Sequence, residues 1–133
     1  MVGVVIAAHG ALAEELLKTT VFIVGDIPNM VAISIDPSRP IDEIQKSIKT
    51  AIKKVDTGNG VLILTDMFGG TPANMTLSFL EEGRVEVITG VNLPMLIKLS
   101  QNIKNNSSLE ETTSTVVEHG KKSINQASAI LNK

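Results

Sequence analysis

VGVVIAAHGALAEELL, residues 2–17, is the stretch that decides the fold. Val4, Val5 and Ile6 make a short β-branched run with no polar alternation, the pattern of a strand buried on both faces. Ala7, Ala8, His9 and Gly10 follow, and then Leu12, Leu16 and Leu17 fall at helical spacing. The small residues permit a tight turn, which puts His9 at the carboxyl end of a first strand. In open α/β sheets that edge collects ligands and chemistry. Residues 61–74, VLILTDMFGGTPAN, repeat the plan: buried strand, polar residue, glycines, helix. If the two strands are neighbours, His9 and Asp66 stand side by side.

Working outward, residues 11–24 read as a helix stopped by Gly25, and residues 30–35 (MVAISI) as a second strand. Pro40 suits the first position of a helix whose Ile41, Ile44, Ile48, Ala51, Ile52 and Val55 share one stripe. Asp42 and Glu43 in its first turn, with Lys53 and Lys54 in its last, complement the macrodipole. Thr71 is the expected N-cap and Pro72 the N1 residue of a short helix to about Leu80. Residues 85–89 form the fourth strand and residues 94–101 the next helix. Ser107 with Glu110 has capping-box spacing for a last helix that Gly120 is expected to end. Residues 127–131 are open between helix and strand. Alternation this regular indicates an α/β fold, a parallel sheet covered on both faces, in a single domain over residues 1–133.

Composition narrows the function. The apolar fraction of 43% and charged fraction of 20% are ordinary for a soluble globular domain. The net charge of −2 and the absence of aromatics other than three Phe give no nucleic-acid footprint. With no cysteine, disulfides, thiolate catalysis and Cys-based zinc sites are excluded. No apolar run reaches transmembrane length and no basic leader precedes the first strand, so a cytoplasmic protein is expected. No carboxylate cluster suggests a metal site, and no cofactor is expected.

Of the two histidines, His9 sits at a strand end beside glycine, whereas His119 reads as a cation at a helix C-terminus. Asp66 directly follows apolar strand residues, where a carboxylate needs partners or solvent. As an acceptor for the His9 ring it would fix the tautomer, leave the other ring nitrogen free, and stabilise an imidazolium; alternatively it merely caps a loop. Gly69, Gly70, Thr71 and Pro72 allow close backbone approach to an anion at a helix start, though the same residues make any good helix start. Gly120-Lys121-Lys122-Ser123 resembles a P-loop only superficially, because Thr115 stands where the upstream glycine belongs.

Three motifs in order, His9-Gly10 after an apolar strand, Asp66 to Asn74 as DMFGGTPAN, and Gly90 to Leu96 as GVNLPML, resemble the IIA domain of the mannose-type sugar phosphotransferase system. The resemblance covers nearly the whole chain. It implies that His9 accepts a phosphoryl group from the phosphocarrier protein HPr and passes it to a IIB component for carbohydrate uptake, with Asp66 supporting the histidine. Gly10, Phe68, Gly69, Gly70 and Thr71 would then bind phosphate, and Asn74 and Asn92 would line the pocket or meet a partner. Phe68 stands where some relatives carry tryptophan, which bears on partner packing. The resemblance also implies an open α/β/α sandwich of four parallel strands, a homodimer, and an antiparallel C-terminal strand exchanged between subunits by residues 121–133. The sequence ends at Lys133 without a fused IIB domain, so a separate acceptor is expected, with membrane contact only indirect, through the transporter. Alternatives are a regulatory phosphoacceptor, a subunit like the phosphodonor of dihydroxyacetone kinase, and a non-enzymatic flavodoxin-like module holding a phosphorylated ligand.

Overall fold

The computed structural model describes residues 1–67 and 71–131. Its elements run β1 (Gly3–His9), α1 (Leu12–Val24), β2 (Met30–Ile35), α2 (Ile41–Val55), β3 (Val61–Thr65), α3 (Thr71–Leu77), β4 (Val85–Thr89), α4 (Leu93–Lys104), α5 (Leu109–Lys122) and α6 (Ala127–Ile130). The strands form one parallel sheet in the order β2-β1-β3-β4. β1 and β3 are buried almost throughout because they are its two central strands.

Side chains alternate across this sheet, so each central strand feeds two cores. Val4, Ile6, Ala8, Leu62 and Leu64 pack with Ala13 of α1, Leu96, Leu99 and Ile103 of α4 and Val116 of α5. Val5, Val61 and Ile63 meet Ala51 and Val55 of α2, while Ala7 and Ile35 meet Ile44, Ile48 and Met75. The result is the three-layer α/β/α arrangement, with helices covering both faces.

Several boundaries differ from the sequence reading. Pro40 precedes α2 in extended geometry, as the N-cap, and its carbonyl accepts from the Glu43 and Ile44 amides. α3 includes Thr71 and stops at Leu77, short of the expected Leu80. Phe79 and Leu80 there donate to carbonyls three residues back, tightening the chain out of the α-helix. α4 is longer at both ends than residues 94–101, because Asn92 caps it and Ile103 extends its buried stripe. The cap of α5 is Ser108, whose hydroxyl accepts from Glu111 N–H at 3.1 Å, in place of Ser107.

Gly120 does not end α5. It lies buried within the helix, where an added Cβ would stand 2.5 Å from Met95 Cγ and 2.7 Å from Met95 Sδ. Its role is close approach of α5 to α4. The chain leaves α5 at Ser123 and closes with α6, a four-residue helix, where a C-terminal strand was the alternative.

Candidate functional site

Register builds the site. β1 pairs with β3 so that Ala7 lies opposite Thr65, which carries His9 and Asp66 off the same edge of adjacent strands. His9 Nδ1 lies 2.7 Å from Asp66 Oδ2, and the His9 backbone N–H donates to that oxygen at 3.1 Å. The second carboxylate oxygen, Oδ1, accepts from the Met67 N–H at 3.0 Å. Two contacts thus lock residues 57 apart in sequence, and a third, from the adjacent Met67, fixes the same carboxylate.

The Asp66 side chain is 13% exposed and the His9 side chain 40%. Burial alone would push the Asp66 carboxyl up. The hydrogen bonds from the His9 ring and backbone, with the attraction of a charged ring, outweigh it and hold the group below its ordinary 3.8. Ionised, Asp66 can only accept, so Nδ1 carries the proton and donates. The lone pair of a neutral ring then resides on Nε2, which has no hydrogen-bond partner among the described residues. The arrangement can therefore present a ring nitrogen as nucleophile and stabilise the cation that forms when it bonds to an electrophile.

Gly10 completes the turn after His9. It adopts φ +55°, a left-handed conformation that favours glycine. Its N–H donates to Ile35 C=O at 3.2 Å, and its C=O accepts from the Ser34 hydroxyl. Ser34 was not picked out by the sequence reading: it is an ordinary polar residue in β2, and only the pairing of β2 with β1 puts its hydroxyl under the turn.

The remaining sequence candidates divide. Phe68, Gly69 and Gly70 lie outside the described residues. Thr71 and Asn74 are exposed on α3, while Pro72 and Ala73 between them are buried. Asn92 caps α4: its Oδ1 accepts from Met95 N–H at 3.0 Å, and its Nδ2 donates to Gly120 C=O at 3.4 Å. His119 is exposed in the last turn of α5. Leu12 and Met67, which follow the two strand ends, are 44% and 54% exposed, so each strand end is followed by an exposed apolar side chain. Among the described residues no group of three or more His, Cys, Asp and Glu side chains could hold a metal ion. No helix there is long and apolar enough to cross a membrane.

The parallel α/β/α fold is shared with solved structures of phosphotransferase system components. A phosphotransferase system component EIIA from Streptococcus agalactiae superposes with a TM-score of 0.86 at 21% identity, covering 97% of this chain and 99% of that one. The family model described as "PTS system fructose IIA component" matches residues 3–117. The chain belongs to that family, the mannose, fructose and sorbose branch of the phosphotransferase system IIA components. It is 32% identical over 124 residues to the mannose-specific EIIAB component of Escherichia coli K12, covering 92% of this chain and 38% of the relative. It is 34% identical over 100 residues to the fructose-specific EIIA component of Bacillus subtilis, covering 74% of this chain and 68% of that protein.

Proposed function

We propose that this IIA component carries a phosphoryl group on Nε2 of His9, taking it from phospho-HPr and delivering it to a IIB component in a sugar uptake system. The single observation that carries the reading is the 2.7 Å contact between His9 Nδ1 and the ionised Asp66 carboxylate. It assigns the proton to Nδ1 and leaves the Nε2 lone pair available. In the forward step that lone pair attacks the donor's phosphorus, and a new P–N bond forms at Nε2. The donor's P–N bond breaks with its electron pair returning to the donor ring nitrogen. The positive charge gained by the His9 ring is met by Asp66 through the Nδ1–H hydrogen bond. Delivery reverses these roles, with His9 as leaving group.

Phosphoryl transfer spreads negative charge over the equatorial oxygens, and backbone N–H groups stabilise it without adding a charged side chain. The proposal gives that work to residues 69–71 with Phe68 beside them, leaves Gly10, whose N–H already donates to Ile35 C=O, to shape the turn, and assigns Asn74 and Asn92 to the pocket lining or a partner contact. The apolar exposure of Leu12 and Met67 suits a site whose donor and acceptor are proteins, since both must seat against it in turn.

The same reading includes a homodimer. Ile124, Ile130 and Leu131 are 80%, 62% and 64% exposed in the single chain, apolar side chains left largely open to solvent among the described residues. A cavity of about 150 Å³ between β4 and the end of α5 includes Ile88, Thr89, Val117 and Ile124 in its wall. An exchanged segment starting after Ser123 would bury these residues and close the β4 edge.

The experiment is incubation with phosphoenolpyruvate, enzyme I and HPr, followed by peptide mapping under conditions that preserve acid-labile phosphate. Label on the peptide containing His9 supports the reading. Label on His119, or none, overturns it. Removing residues 124–133 tests the dimer by light scattering: the proposal expects a monomer, and an unchanged dimer refutes exchange by this segment.

A further inference from the structure

β2 is a terminal strand of the sheet, so one of its edges is unpaired among the described residues. Val4 N–H donates to Asn29 C=O and Gly10 N–H to Ile35 C=O, so the odd-numbered positions of this strand turn their backbone toward β1. In a parallel ladder the intervening residues point their N–H and C=O groups the other way. Ala32 and Ser34 therefore present unpaired donors and acceptors at the open edge. Beside that edge runs a groove of about 560 Å³, floored by Val31, Ile33 and Ala51 and rimmed by Arg39, Lys46 and Lys54.

The rim charges select the occupant. Arg39 lies 3.7 Å from Glu43, which balances it. Lys46 and Lys54 form no ion pair among the described residues. Both are exposed, in a chain whose net charge is −2. They are eight residues apart on one helix, about 12 Å at 1.5 Å per residue. Four residues of extended chain span about 13 Å, so carboxylates at positions i and i+4 of an added strand would reach both lysines. The residue midway falls near Thr50 and Ala51, where a small apolar side chain would meet the half-buried Val31 and Ile33.

We propose that the β2 edge with its α2 groove docks an extended acidic segment of another polypeptide, added to the sheet as a further strand with acidic residues four apart over Lys46 and Lys54. A second copy pairing through the same edge would bring like charges together. Residues 121–133 contain three lysines and no Asp or Glu side chain, so they do not fit the rim either. Lysines at sheet edges also serve simply to discourage pairing. That role predicts no preference for an acidic strand, and this difference makes the proposal testable without reference to His9.

The test uses a fluorescein-labelled peptide, Thr-Glu-Thr-Val-Thr-Glu-Thr, titrated with the full chain and followed by anisotropy. The expected result is saturable binding, weakened at least tenfold by Lys46→Glu with Lys54→Glu and by replacing both peptide glutamates with lysine. Hydrogen exchange should slow at the Ala32 and Ser34 amides when the peptide is bound. Binding that survives the charge reversals, or no binding at millimolar peptide, would overturn the proposal. Charge-dependent binding without protection of those two amides would overturn strand addition. Both lysines are solvent-exposed, so the double variant is expected to fold, which circular dichroism verifies.

Discussion

The chain contains two histidines in opposite situations. His9 ends a buried central strand, and its ring is fixed by a carboxylate contributed from a different strand. His119 lies exposed near the end of α5, with solvent as its main neighbour. Both carry the same ring and the same two nitrogens. What separates them is that folding supplies His9 with a positioned anion and a defined tautomer, and supplies His119 with neither among the described residues.

The strongest way to break this comparison is His9→Ala. Phosphorylation by phospho-HPr should disappear altogether while the far-ultraviolet circular dichroism stays native, because the ring is half-exposed and leaves no core cavity. A mutant that still takes up phosphate would show that the two histidines are not distinguished by chemistry.

Asp66→Asn sharpens it. The amide can still hold the ring through a hydrogen bond but no longer balances the imidazolium charge. Transfer, followed by rapid quench, should slow by about 10²-fold or more. Wild-type rates would remove the carboxylate from the mechanism.

A smaller effect separates stabilisation from catalysis. Because folding lowers the Asp66 carboxyl below 3.8, ionised Asp66 favours the native state. Its contribution is complete well above 3.8 and is lost as pH falls through the lower folded value. Urea midpoints of wild type and Asp66→Asn should differ near pH 6 by the equivalent of about 1 kcal/mol, allowing for screening at the half-exposed ring. The gap should narrow below pH 3.8, and a pH-independent gap would mean that ionisation is not its source. Asn92→Ala should cost a similar ~1 kcal/mol through the lost α4 cap.

The smallest expected change is His119→Ala, which should leave both phosphoryl acceptance and thermal midpoint within error of wild type. A marked loss of either would give the exposed histidine a role of its own.

Much of this was legible in the sequence, and the misses have identifiable causes. β-branched runs marked the strands because burial on both faces removes polar alternation, and three- and four-residue spacings marked the helices. Ser107 and Ser108 both stand three residues before a glutamate, so local chemistry could not choose between them. The inward phase of Thr112, Val116 and Gly120 against the core goes with Ser108 as the cap. Gly120 reads equally well as a helix stop or as a close contact, and only the approach of Met95 decides. Asn92 two residues before Pro94 was a readable cap signal, obscured by the resemblance of its loop to a binding motif.

The sequence by itself determined which segments become strands and helices, since hydrophobic period and turn chemistry act over a few residues. It also put His9 and Asp66 at the ends of their own strands. Tertiary structure alone decided that β1 and β3 are neighbours in the register Ala7 to Thr65, with β2 and β4 outside them. Only then do Nδ1 and Oδ2 come within 2.7 Å, the proton fall on Nδ1, and Ser34 reach the Gly10 carbonyl. The physical reason is that strand order is a contest between whole buried surfaces far apart in the chain, and a hydrogen bond between two side chains is set by the winner.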